Sequence, residues 1–206
     1  MAAMTRRGAL IVVSGPSGVG KDSVLKEFMP GRDDVCLSIS STTRPPRPDE
    51  VHGKNYYFIS REEFEKKLAD RAMLEYAEYA GHYYGTPKKW VEKTLSSGKH
   101  VILEVELVGA LKIRAIRPDA VFVFLMPPSL RTLRDRLIGR GTETPQSIDK
   151  RLKTAEEEIL HASGYDYIIV NNTLADSCQK LSAVIAAAEL RTKHVKDIIE
   201  EVMSNA

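Results

Sequence analysis

The plainest chemistry in the chain lies at Ser14 to Ser23, which reads SGPSGVGKDS. Gly15, Gly20 and Lys21 have the spacing of a phosphate-binding loop, with Pro16, Ser17, Gly18 and Val19 between the two glycines. Such a loop wraps phosphates with backbone N–H groups at the start of a helix, where the helix dipole also favours an anion. Glycine is needed where the backbone takes positive φ or comes close to the ligand. Lys21 is placed to reach the β- and γ-phosphates of a nucleoside triphosphate. The usual motif has Ser or Thr directly after the lysine, its hydroxyl on Mg²⁺. Here that residue is Asp22, and Ser23 follows. Either Ser23 takes the hydroxyl role or Asp22 acts on the metal through water. The bland alternative is a glycine turn that joins a strand to a helix and binds nothing, so the rest of the chain must decide.

Three further groups bear on that decision. Ser40 to Arg47 is a hydroxyl-rich, proline-stiffened stretch with Arg44 and Arg47 three apart. Guanidinium groups bind phosphate oxygens bidentately, although a solvated turn with two surface arginines would look the same. Arg136, Arg140 and Arg151 flank a Gly139-Arg140-Gly141 turn. Phosphoryl transfer needs cations around the transferred group, because charge builds on its equatorial oxygens. Arg131 and Arg134 read instead as outward helix arginines. Glu75, Glu104 and Glu106 are the acidic set. Glu104 and Glu106 end a strand two residues apart and so share a face. Carboxylates at the carboxyl end of a parallel strand sit at the ligand crevice. There Glu104 can hold Mg²⁺ through water, or the set can accept hydrogen bonds from a purine that offers donors. Guanine offers N1–H and a 2-amino group together; adenine does not. Tyr56, Tyr84 and Thr86 supply hydroxyls for a phosphate or a base edge, whereas Tyr57, Tyr76 and Tyr83 read as core.

The elements that must position these groups follow from hydrophobic pattern. Ala9 to Val13 is an apolar run into the loop, and Val24 to Phe28 leaves it with helical spacing. Residues 35–39, 101–105, 121–125 and 167–170 read as further strands, and 108–116, 128–137, 147–161 and the tail from Ala175 as helices. Thr86-Pro87 is expected to open a helix through Leu95. Strands apolar on both faces, alternating with helices, predict a parallel sheet covered on both sides. Between them, 40–55 reads as a loop, 56–59 as a short strand, Ser60 with Glu63 as a capping-box helix start, and 74–84 as strands turning at Gly81. Residues 38–86 therefore form a small β-rich insertion. A last apolar stripe, Val195, Ile198, Ile199 and Val202, is expected to pack on the domain or to pair two copies of the chain.

Composition narrows the class. The 206 residues suit one domain, and a hydrophobic fraction of 43% is enough for a core. A formal net charge of +2 and no aromatic stacking platform argue against nucleic acid as partner. No apolar run approaches the ~20 residues of a membrane span. Two distant cysteines, no secretory start and five scattered histidines predict a reducing, cytoplasmic setting without a Cys/His metal site.

Together these segments resemble the guanylate kinases. GPSGVGK at 15–21, SSTTRPPRPDEVHGKNYYFIS at 40–60, GHYYGTP at 81–87 and IGRGTET at 138–144 fall in that family's order, and the likeness runs from about residue 8 to 187. It implies a P-loop three-layer α/β sandwich with a core (8–37, 87–136 and 152–187), a GMP-binding region (38–86) and a lid (137–151), followed by a C-terminal helical extension (188–206). It implies transfer of the ATP γ-phosphate to GMP or dGMP with Mg²⁺. By position, Ser40, Arg44, Arg47, Tyr56 and Tyr84 would hold the GMP phosphate, and Glu75, Thr86 and Glu106 would read guanine. Gly15 to Ser23 would hold ATP phosphates, with Arg140 and Asn171 near the adenine. Lys21, Arg44, Arg136, Arg140 and Arg151 would carry catalysis. On the same likeness Ser23 becomes the metal-side hydroxyl, and Asp22 is expected to point away from the phosphates. The chain departs from the family in having Glu at 104 and 106, where Asp is common, and in lacking a Gln near Val108. Two other readings are a non-catalytic interaction domain of the same fold and a related sugar-phosphate kinase. The retained lysine and arginines oppose the first, and the intact base-reading set opposes the second.

Overall fold

A computed structural model describes residues 7–79, 81–139, 141, 144–192 and 202–204. Along the chain lie β1 (Leu10–Ser14), α1 (Lys21–Phe28), β2 (Val35–Leu37), β3 (Ser41–Thr42), β4 (Tyr57–Phe58), α2 (Arg61–Ala69), β5 (Met73–Tyr79), β6 (His82–Pro87), α3 (Lys88–Ser96), β7 (His100–Glu104), α4 (Leu107–Ile116), β8 (Val121–Met126), α5 (Leu130–Gly139), α6 (Pro145–Leu160), a 3₁₀ turn (His161–Gly164), β9 (Tyr167–Val170) and α7 (Leu174–Glu189). Five strands form a parallel sheet in the order β2-β7-β1-β8-β9. The central strand β1 is buried along its whole length, as its uninterrupted Leu-Ile-Val-Val run requires.

Helices cover both faces. Ile11, Val13, Val123 and Leu125 pack with Val24 and Leu25 of α1 and Leu181 and Ile185 of α7. On the other face Leu10, Val12, Leu103 and Phe122 pack with Val91 and Leu95 of α3 and Ile113 of α4. Each such side chain contributes about 1.5–3 kcal/mol relative to exposure. The edge strand departs from the expected double coverage: Ile168 and Val170 remain exposed on one face of β9. Leu133 and Leu137 of α5 join Ile148 and Ala155 of α6 in a separate small core.

The second sheet runs β4-β3-β6-β5. β3 lies inside the stretch expected to be loop; only two residues long, it shows no period of its own. Both its residues are buried, paired to β6 on one side and β4 on the other. Thr86 belongs to β6 rather than to a helix start, and Pro87 is the residue before α3. Ser60 does cap α2, its hydroxyl accepting from the Glu63 N–H at 3.1 Å. The tyrosines read as core are not core: Tyr57 and Tyr83 are half-buried, and Tyr76 is exposed beneath the Lys112 ammonium. Phe64 fills that centre instead, stacked on Tyr83. Among the described residues no helix is long and apolar enough to cross a membrane. Most of the 188–206 extension, including Val195, Ile198 and Ile199, lies outside the described residues.

One buried polar contact ties the sheet's start to the last helix. His100 Nδ1 accepts the Ala9 N–H at 3.0 Å, and its Nε2 lies 2.7 Å from Glu189 Oε1. An accepting Nδ1 fixes the tautomer, so Nε2–H donates to Glu189. A His100→Leu variant strands the Ala9 amide in the core. It is expected to lose about 1–3 kcal/mol of stability in urea denaturation.

Candidate active site

The loop from Ser14 to Lys21 leaves β1 at its carboxyl end and opens α1, so that the free N–H groups of the first helical turn lie at the loop. Two glycines are dictated by space. A Cβ on Gly15 (φ +151°) would sit 2.3 Å from the Leu125 carbonyl oxygen. One on Gly20 (φ +98°) would sit 2.9 Å from Asn171 Nδ2. Lys21 Nζ donates to the Gly15 carbonyl at 2.7 Å, so the ammonium is folded back over its own loop.

Braces from later in the chain hold this loop. Asn171, at the end of β9 and 3% exposed, donates from Nδ2 to the Val19 carbonyl at 2.7 Å and accepts from Ser177 Oγ at 2.9 Å. Arg136 donates to the Val19 carbonyl at 3.0 Å and to the Asn171 carbonyl at 2.8 Å. Arg151 donates to Ser17 Oγ at 2.9 Å. Glu158, seven residues further along α6 and so on the same face, lines the loop cleft together with Ser17. Glu158 was not among the residues singled out from sequence; its spacing from Arg151 was the available signal.

Two cavities open on the loop, and another adjoins one of them. One of about 120 Å³ is lined by Lys21, Asp22, Glu104, Glu106, Glu158 and loop glycines. A second, of about 280 Å³, lies between the two sheets and is lined by Ser40, Tyr56, Glu75, Tyr84, Glu104 and Glu106. Glu104 and Glu106 belong to both, so a carboxylate wall is common to the loop cleft and the inter-sheet cavity. The third, of about 340 Å³, lies on the other side of the loop and is lined by Gly18, Val19, Gly20, Ser23, Arg136 and Asn171.

The acidic groups are tuned by burial. Glu75 is raised above the ordinary carboxylate range by burial, against the Thr86 hydroxyl, which donates to Glu75 Oε1 at 2.8 Å. Thr86 is 1% exposed and does not line the cavity, so it acts on Glu75. Gly109 of α4 faces the other Glu75 oxygen, and a Cβ there would lie 3.3 Å away. Glu104 is pushed up to about 7, first by burial and then by the neighbouring Asp22 carboxylate, with Lys21 opposing. Tyr56 is raised by burial.

Arg44 stands beside this cavity, its guanidinium 5.6 Å from the Tyr56 ring centre. It donates to Glu50 Oε1 at 2.8 Å and to the Pro45 carbonyl at 2.7 Å. Glu50 also accepts the Arg47 N–H at 2.8 Å and is held down at about 2, first by Arg44 and then by that N–H. Glu50 was likewise missed from sequence, although it closes a turn three residues after Arg47. The Arg47 side chain is exposed and lines none of the three cavities.

Several expectations change. Asp22 does not point away; it faces the loop cleft beside Lys21 and Glu104. Ser23, expected on the metal side, lines the cavity on the opposite side, with Asn171. Arg136 is engaged by backbone carbonyls and lines that same cavity instead of the loop cleft. Arg140 lies outside the described residues.

Comparison with known proteins agrees over the whole domain. The guanylate kinase family model matches residues 7–188. A guanylate kinase of Clostridium perfringens (strain 13 / Type A) is 47% identical over 195 residues, covering 95% of this chain and 90% of that protein. One from Lactiplantibacillus plantarum is 45% identical over 204 residues, covering 98% and 99%. The crystal structure of guanylate kinase from Anaplasma phagocytophilum superposes with a TM-score of 0.75 at 31% identity, covering 96% of each chain. With its loop, acidic cavity and two-sheet frame, this chain belongs to the guanylate kinase family.

Proposed function

We propose that the chain transfers the γ-phosphate of ATP to GMP, giving ADP and GDP, and accepts dGMP as well. The observation that carries this reading is the common wall of Glu104 and Glu106 between the Lys21 cleft and the Glu75 cavity. Phosphates on the loop and a nucleobase against Glu75 would then bring donor and acceptor phosphates together along that wall. The region 38–86 acts as the acceptor-binding part, 137–151 as the lid and the remainder as core. Adenine lies on the Asn171 side, and Arg44 with Tyr56 and Tyr84 meets the acceptor phosphate.

The attacking group is already a phosphate, so no side chain need act as a strong base. Catalysis is alignment plus neutralisation of charge by Lys21 and the arginines, in a cleft that excludes water. The oxygen donors of Asp22 and Glu104 suit Mg²⁺, a hard cation that takes one or two carboxylates beside phosphates. When bound, it would neutralise phosphate charge. Two free cysteines favour a cytoplasmic setting.

A coupled ADP-release assay over nucleoside monophosphates tests the reading. GMP and dGMP are expected to turn over, AMP is not, and a chelator should stop the reaction. AMP as the better acceptor overturns it.

A further inference from the structure

The residue after the loop lysine is where a P-loop places its metal ligand, and in this chain that residue carries a carboxylate instead of a hydroxyl. The side chain faces the cleft that holds Lys21, and there its carboxylate neighbours that of Glu104, which lines the same cleft. Ser23, the hydroxyl one place later, opens onto the cavity beyond the loop, with Asn171 and Arg136. It is therefore not positioned to replace the missing hydroxyl on the Lys21 side.

We propose that Asp22 is a direct ligand of the divalent cation that accompanies the nucleotide, with Glu104 beside it, and that Ser23 is not. This rests on the loop being the ATP-phosphate site. A hydroxyl at this place is neutral and tolerates phosphates with or without a cation. A carboxylate does not: it repels a bare triphosphate and attracts one only across a cation. The substitution therefore makes nucleotide binding more strongly dependent on metal than a serine would. Magnesium accepts this ligand, since it combines one or two carboxylates with phosphate oxygens. Lys21 Nζ and the loop N–H groups remain on the phosphates, so Asp22 alters the metal requirement without replacing the cradle.

The test is calorimetric binding of the β,γ-imido analogue of ATP, with Mg²⁺ and with EDTA, to the wild type and to Asp22→Asn, Asp22→Ser and Ser23→Ala. In the wild type Mg²⁺ is expected to tighten the analogue at least tenfold. In Asp22→Asn that gain should fall below threefold, while affinity in EDTA rises because the repelling charge is gone. Asp22→Ser should bind better than wild type in EDTA and regain part of the metal effect. Ser23→Ala should keep the full gain. A purely structural role for Asp22 would weaken binding under both conditions and would not raise affinity in EDTA. An unchanged metal gain in Asp22→Asn overturns the proposal, as does its loss in Ser23→Ala. An analogue that binds wild type under neither condition overturns the phosphate-site reading itself, and this inference with it.

Discussion

Lys21→Ala is expected to lower turnover about a hundredfold or more while leaving the fold intact, the magnitude typical of removing one preorganised charge from a transition state. The lysine is the first residue of α1, and its ammonium bends over the loop to the Gly15 carbonyl at 2.7 Å. That single contact is local, and the loop keeps its braces from Asn171, Arg136 and Arg151 without it. Stability should therefore change little. Charge on a transferring phosphoryl group, by contrast, is met in this cleft by Lys21, the one cationic side chain lining it among the described residues. Asp22, Glu104, Glu106 and Glu158 all line it, so losing the lysine leaves a net negative wall. Turnover by ADP release, with melting temperature as control, checks this. A variant within tenfold of wild type would remove Lys21 from the reaction.

The loop was legible because its chemistry is written in contiguous residues: glycines at fixed spacing, a lysine, and an apolar strand before them. The central strands were legible for a similar reason, being runs with no polar interruption. What sequence did not reveal depends on neighbours that a pattern cannot carry. The two-residue β3 exists only because β4 and β6 flank it. Asn171 and Arg136 brace the loop through backbone carbonyls of Val19 and Asn171, acceptors that no side-chain motif records. Asp22 and Ser23 show the limit most sharply. Consecutive residues on a helix point about 100° apart, so the two open onto different cavities. Which of them faces the reaction is set by how α1 lies on the sheet. The extra methylene of Glu104 over an aspartate likewise gains meaning only once Asp22 is seen beside it.

The second large effect concerns the choice of base. Glu75 is held by the Thr86 hydroxyl at 2.8 Å on one oxygen, and its other oxygen lies against Gly109. A carboxylate fixed in this way accepts hydrogen bonds and offers none, which matches the paired donors of guanine and not adenine. Hydrogen bonds to a charged group contribute about 1.5–3 kcal/mol. Glu75→Gln is therefore expected to lower kcat/KM for GMP by roughly 10–150-fold, mostly through KM, and to narrow the preference over AMP. KM for ATP should not follow. The carboxyl is raised by burial, so it takes up a proton at higher pH than an ordinary glutamate. Protonation adds an O–H where guanine needs an acceptor, so KM for GMP should rise as pH falls through that raised value. Lys112 opposes the shift, and Glu104 and Glu106 line the same cavity wall. For that reason the profile must be compared with Glu75→Gln, in which the nucleotide phosphate and the rest of the cavity wall are unchanged but position 75 cannot take up a proton. A difference between the two profiles assigns the rise to Glu75. Identical profiles, or an unchanged GMP-to-AMP ratio in the variant, would mean that Glu75 does not read the base.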